Sequence, residues 1–97
     1  MKQFIVEIIY KVPFEQLSEI VPAHRKFLDE GYEKGMLLMS GPQNPKTGGI
    51  VIARAKEIDE IKKYFNKDPY LISKVAEHRI IEFTPVKHQE FVKTWLE

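Results

Sequence analysis

The sequence contains no cysteine, which excludes disulfides, thiolate metal ligation and a cysteine nucleophile and leaves the redox compartment open. It also lacks a long apolar run: the longest stretches fall far below the roughly 20 residues that span a bilayer. No block of one charge occurs. Fifteen basic side chains are interspersed with fourteen acidic ones for a net charge of +1, so there is no basic patch for nucleic acid or membrane and no acidic tail. The three histidines share no metal-ligand spacing and no His-x-x-x-His occurs, so neither a metal nor a cofactor is expected. The opening MKQFIVEIIYKVP places one lysine ahead of an apolar run broken by Glu7, with no small-residue cleavage site, and does not read as a signal peptide. The expectation is a soluble, cytoplasmic protein.

What is present suits one domain over residues 1–97, with a core at about 3–85 and a tail at 86–97. Residues 3–11, QFIVEIIYK, predict a first strand rich in β-branched and aromatic residues. Phe4, Val6, Ile8 and Tyr10 point one way and Ile5, Glu7 and Ile9 the other, so both faces are largely apolar. Helices on one side would leave the second face bare, and another subunit is the economical cover. Pro13 ends the strand, and a helical pattern then runs from Phe14 toward Lys34 with a kink or break near Pro22. Gly35 stands at the position of a left-handed helix cap.

Residues 36–40 predict a second strand, the turn-rich 41–48 a loop, and 49–55 a third strand antiparallel to the second. A second helix is predicted over 57–66, a helical turn over 70–75 and a fourth strand over 77–84. In the tail, helical spacing would put Phe91, Val92, Trp95 and Leu96 on one face, and the tail is expected to pack as a short helix or an extended arm. The order β-α-β-β-α-β defines an α+β, ferredoxin-like antiparallel sheet with two helices on one face, the other face closed by a second copy into a dimeric α/β barrel. The RNA-recognition motif shares this order, but the third strand, GIVIARA, has no aromatic residue for base stacking.

Within the first helix, His24, Phe27, Leu28 and Gly31 share one face, and that face is the apolar one. An imidazole there is either a packed, hydrogen-bonded histidine or a general acid/base, and the second role needs an orienting partner. Asp68 is the acidic residue that stands out beside a helix break, although Asp68-Pro69 is also an ordinary N-cap followed by proline at the first helical position. Ser40, before Gly41-Pro42, lacks the Gly-x-Ser-x-Gly setting of a nucleophile elbow. Ser40 and the Gly41 amide are better read as groups that orient a ligand.

Taken together, His24-Arg25-x-Phe27-Leu28, Gly35, Ser40-Gly41-Pro42, Gly48-Gly49, Asp68-Pro69-Tyr70 and the closing Ile-Ile-Glu-Phe strand resemble the YciI-like (YCII-related) family. The resemblance implies a ferredoxin-like fold that dimerises into an α/β barrel. It also implies an active site with His24 and Asp68 as its catalytic pair and Ser40, Gly41 and Pro42 lining the pocket. Most of the family has no assigned reaction; assigned members resemble small-molecule enzymes of muconate-type catabolism, including a dehydrochlorinase, and need no cofactor. Two departures stand out. Ile20 and Val21 replace the arginine common upstream of the histidine, and LISKV lacks the glycine expected after Asp-Pro-aromatic. Arg25, Arg54 or Arg79 is available in that arginine's place, and Arg25 is the one expected to bind substrate. The expected function is a cofactor-independent lyase or isomerase moving a proton through a His–Asp pair. The alternative is a non-catalytic metabolite-binding or accessory dimer.

Overall fold

Strand β1 (Lys2–Tyr10) runs through the interior of a four-stranded sheet in the computed structural model, which describes all 97 residues. It pairs antiparallel with β3 (Gly48–Ala55) on one side and β4 (Ala76–Phe83) on the other, and β2 (Leu37–Pro42) forms an edge beyond β3. The strand order β2-β3-β1-β4 is that of the ferredoxin-like α+β fold. Helix α1 (Val21–Glu33) connects β1 to β2, and α2 (Ile58–Phe65) followed by the single turn α3 (Pro69–Ile72) connects β3 to β4.

The chain breaks before Pro22 rather than kinking at it. A short 3-10 turn, Phe14–Leu17, precedes α1, and Pro22 sits in the first helical turn, where no intrahelical partner is needed for its nitrogen. Gly35 closes the helix at φ +71°, as its lack of a Cβ allows. The second strand differs from expectation. Gly41 and Pro42 belong to β2, opposite Ile50 and Gly49, and do not form a turn. Proline is tolerated there because β2 is an edge strand and needs no ladder donor on its outer side.

Phe4, Val6 and Ile8 of β1 and Val51 and Ala53 of β3 are buried under the helices, against Leu17, Phe27, Ile61, Tyr64 and Phe65. Gly31 brings α1 close to this layer: a Cβ there would lie 2.7 Å from Leu37 Cδ1 and 2.9 Å from the Tyr64 hydroxyl. The opposite face carries Ile5, Ile50, Ile52 and Ile81, half-buried, with Ile9, Met39 and Phe83 exposed. The tail crosses one end of that face. The Trp95 indole N–H donates to Gln3 Oε1 at 2.8 Å, and the Arg54 guanidinium lies 4.0 Å from the Trp95 ring centre. The single apolar tail face does not form. The tail forms a short helix at Lys93–Leu96 (α4), after a 3-10 turn at Glu90–Val92, and Phe91 in that turn remains 83% exposed.

Candidate active site

The first turn of α1 and the N-terminus of α3 converge beneath the sheet and bring His24 to Asp68. The Asp68 side chain caps α3, accepting the Tyr70 amide at 3.0 Å on Oδ1. The same oxygen lies 2.7 Å from His24 Nδ1, and the other, Oδ2, lies 2.9 Å from His78 Nε2. Asp68 is fully buried. Burial alone would raise its carboxyl, but hydrogen bonds from His24 and His78, the His24 charge and the Tyr70 amide together hold it down at about 2. At neutral pH Asp68 is therefore an anion and only accepts hydrogen bonds.

That fixes both imidazoles. His24 must carry its proton on Nδ1 and His78 on Nε2, so neutral His24 keeps a lone pair on its own Nε2. The Tyr70 ring holds His24 in plane, stacked at 3.8 Å and 6°. Burial, with the nearby Tyr10 and Asp68, pushes the Tyr70 phenol up to about 12, so it stays neutral.

His24 opens onto a cavity of about 430 Å³ between α1 and the sheet, a size suited to a small metabolite. Tyr10, Phe14 and Tyr70 supply aromatic walls, and Ser40, Gly41 and Pro42 line the side formed by β2. The Ser40 hydroxyl is 2.7 Å from that of Tyr32, bridging β2 to α1 across the cavity wall. Of the three arginines considered, only Arg25 lines the cavity. Arg54 is committed to the Gly35 and Trp95 carbonyls, and Arg79 sits 3.8 Å from Glu7 on the opposite face. Lys46 is a second cation in the lining, 4.7 Å from the Phe14 ring centre, and Asp29 an acidic one.

Sequence reasoning missed His78, Tyr32 and Lys46. A signal for His78 existed: on β4 it alternates with Ala76 and Ile80 and lies opposite Ile8, so it belongs to the buried face of the strand. No group of three or more His, Cys, Asp or Glu side chains is arranged to hold a metal ion. His24 and His78 instead address different oxygens of one carboxylate.

Fold and site together define a ferredoxin-like α+β protein whose sheet and helices enclose a cavity beside a buried His–Asp–His cluster. The model of the YCII-related domain matches residues 3–84. The chain belongs to the YCII-related family. Comparison with curated proteins finds no match. Among solved structures, the chain is similar to the 5-chloro-2-hydroxyhydroquinone dehydrochlorinase TftG from Burkholderia phenoliruptrix AC1100, in complex with 2,5-dihydroxybenzoquinone. The TM-score is 0.68 at 17% identity, over 91% of this chain and 97% of the other, a likeness of fold.

Proposed function

We propose that this protein is a small-molecule enzyme of the lyase or isomerase type in which His24 moves a proton on the substrate. One observation carries the reading: His24 Nδ1 is tied to an anionic, buried Asp68, which leaves Nε2 as the lone-pair nitrogen of a ring that lines the cavity. Asp68 fixes the tautomer and stabilises the imidazolium that forms when Nε2 takes a proton. Removal of a proton from carbon, with the electron pair shifting to expel a leaving group or move a double bond, then needs no nucleophile. Arg25 and Lys46 suit an anionic substrate, and together with the Ser40 hydroxyl and the Gly41 amide they would steady developing negative charge. The aromatic walls suit a flat, unsaturated molecule. The substrate named for the dehydrochlorinase of similar fold, a chlorinated hydroxyhydroquinone, is flat and unsaturated in the same way.

The test is a panel of unsaturated acids and halogenated hydroquinones, followed by mass spectrometry for product and for deuterium taken up from heavy water. His24→Gln should lower turnover about 10²–10⁴-fold with the fold retained. Turnover unchanged by that substitution overturns the proposal, and ligand binding with no product would favour a binding module.

The open sheet face belongs to the same proposal. Its isoleucines, with Met39 and Phe83, make an apolar surface that the tail covers at one end, and a second copy presenting the same face would bury it as a homodimer.

A further inference from the structure

The proton chemistry proposed above uses one imidazole of the cluster, yet the cluster has two. His78 is as well buried as His24, with side chains 8% and 9% exposed, and its ring meets Phe65 edge-on at 5.4 Å. It does not line the cavity that holds His24. It lines a second one, of about 410 Å³, with Lys62, Asn66, Phe65 and Leu71 on the far side of Asp68. Asp68 itself lines neither. The row His24–Asp68–His78 thus runs from one cavity to the other, with a single anionic charge at its centre.

We propose that His78 is a positioning residue for the His24 base: its Nε2–H anchors Asp68 Oδ2, aims Oδ1 at His24, and takes a share of the one charge that would otherwise serve His24 alone.

Two consequences follow from the charge count. With both rings neutral the cluster carries −1, and a proton on either ring brings it to zero. A second proton would leave it positive, inside the protein and on a cavity that Lys62 also lines. Because His78 lines a separate cavity, a proton can reach it without passing the substrate, and an imidazolium there weakens the pull of Asp68 on His24. The other charged groups near the two rings are Arg25, Asp29 and Lys46 around the first cavity; the strand residue opposite His78, Ile8, is uncharged.

The proposal rests on the reading of His24 as the base, and NMR titration of the nitrogen-15-labelled imidazoles separates the two without a substrate. Three variants serve: Asp68→Asn, His78→Phe, which keeps a ring against Phe65, and His78→Gln, which offers Asp68 a donor that does not titrate. In His78→Phe the undivided Asp68 charge should make His24 titrate about one pH unit higher than in the wild type, a tenfold gain in proton affinity. His78→Gln should fall between the two. Any measured turnover should lose its acid limb at correspondingly higher pH in His78→Phe, a change that a merely structural role would not produce. If His24 titrates alike in the wild type and both His78 variants while Asp68→Asn moves it, the role of His78 is refuted and the base survives. If Asp68→Asn also leaves His24 unmoved, the His24–Asp68 coupling falls, and both proposals with it.

Discussion

Replacing Asp68 by asparagine should alter the stability of this protein in acid in a way that can be calculated beforehand. The native carboxyl sits at about 2 against an ordinary value of 3.8, because two imidazoles and an amide hold it as an anion despite its burial. Between those values the unfolded chain takes up a proton that the native protein refuses, so stability rises with pH across that window. The contribution is complete above about pH 4, drains as pH falls through the window and is mostly gone below about 2. Its size follows from about 1.4 kcal/mol for each pH unit, or about 2–3 kcal/mol in all for a group with no solvent exposure. Asparagine cannot titrate, so this part of the curve disappears. Asparagine also keeps one acceptor oxygen for Tyr70 and His24 but turns an amide donor toward His78 Nε2–H, which must change tautomer or lose its bond. The variant should therefore be less stable at neutral pH, and its deficit should shrink by about 2 kcal/mol between pH 5 and pH 2. Urea unfolding midpoints at a series of pH values and one fixed protein concentration measure this directly. Parallel curves for the two proteins across that range would refute the account of Asp68 as a strongly held anion.

Sedimentation at micromolar concentration should find a dimer, and Ile52→Lys, on the open face, should shift it toward monomer; a wild type that is strictly monomeric would refute the paired-sheet arrangement. Gly48→Ala and Gly31→Ala should both destabilise, in that order of severity. At Gly48 the added carbon would lie 2.0 Å from the fixed Ile8 carbonyl, whereas at Gly31 it meets side-chain atoms of Leu37 and Tyr64 that can turn aside. About 1–3 kcal/mol is expected at Gly31 and more at Gly48, read from thermal or urea unfolding, and the reverse order would count against the packing described.

How far the sequence disclosed this structure depended on the range of the signal. Alternation in β1 placed Phe4, Val6 and Ile8 on the helix face because strand periodicity is local and both neighbouring strands obey it. Gly35 was legible for the same reason, since a left-handed cap is a demand on a single residue. The end of β2 was not. Ser-Gly-Pro has the composition of a turn, and only pairing with Gly49 and Ile50 draws it into an edge strand. The tail does pack as a short helix, but Phe91 stays out of its packed face, because the contact that orders the tail, Trp95 with Gln3, spans almost the whole chain. His24 and Asp68 could be nominated from their local settings, a helix face and a helix cap. Alternation on β4 could show His78 only as a buried-face residue, because its significance arises when β4 settles beside β1 and turns that ring toward a carboxylate ten residues earlier.

Asp68 both caps a helix and contacts two imidazoles, and the energies of the two arrangements differ. A cap satisfies one amide, here that of Tyr70, and is worth typically about 1 kcal/mol. The helix it caps is a single turn, Pro69–Ile72. Burying a carboxylate completely costs several kcal/mol unless donors surround it, and a cap at the surface would avoid that cost altogether. The further donors come from residues 44 positions earlier and 10 later, both aromatic bases that can carry a proton, and neither contributes to the cap. A cap does not account for that expenditure. A buried charge shared by two imidazoles, one of them on a cavity with cations at its wall, is an arrangement that suits the proton transfer proposed above better than it suits a cap.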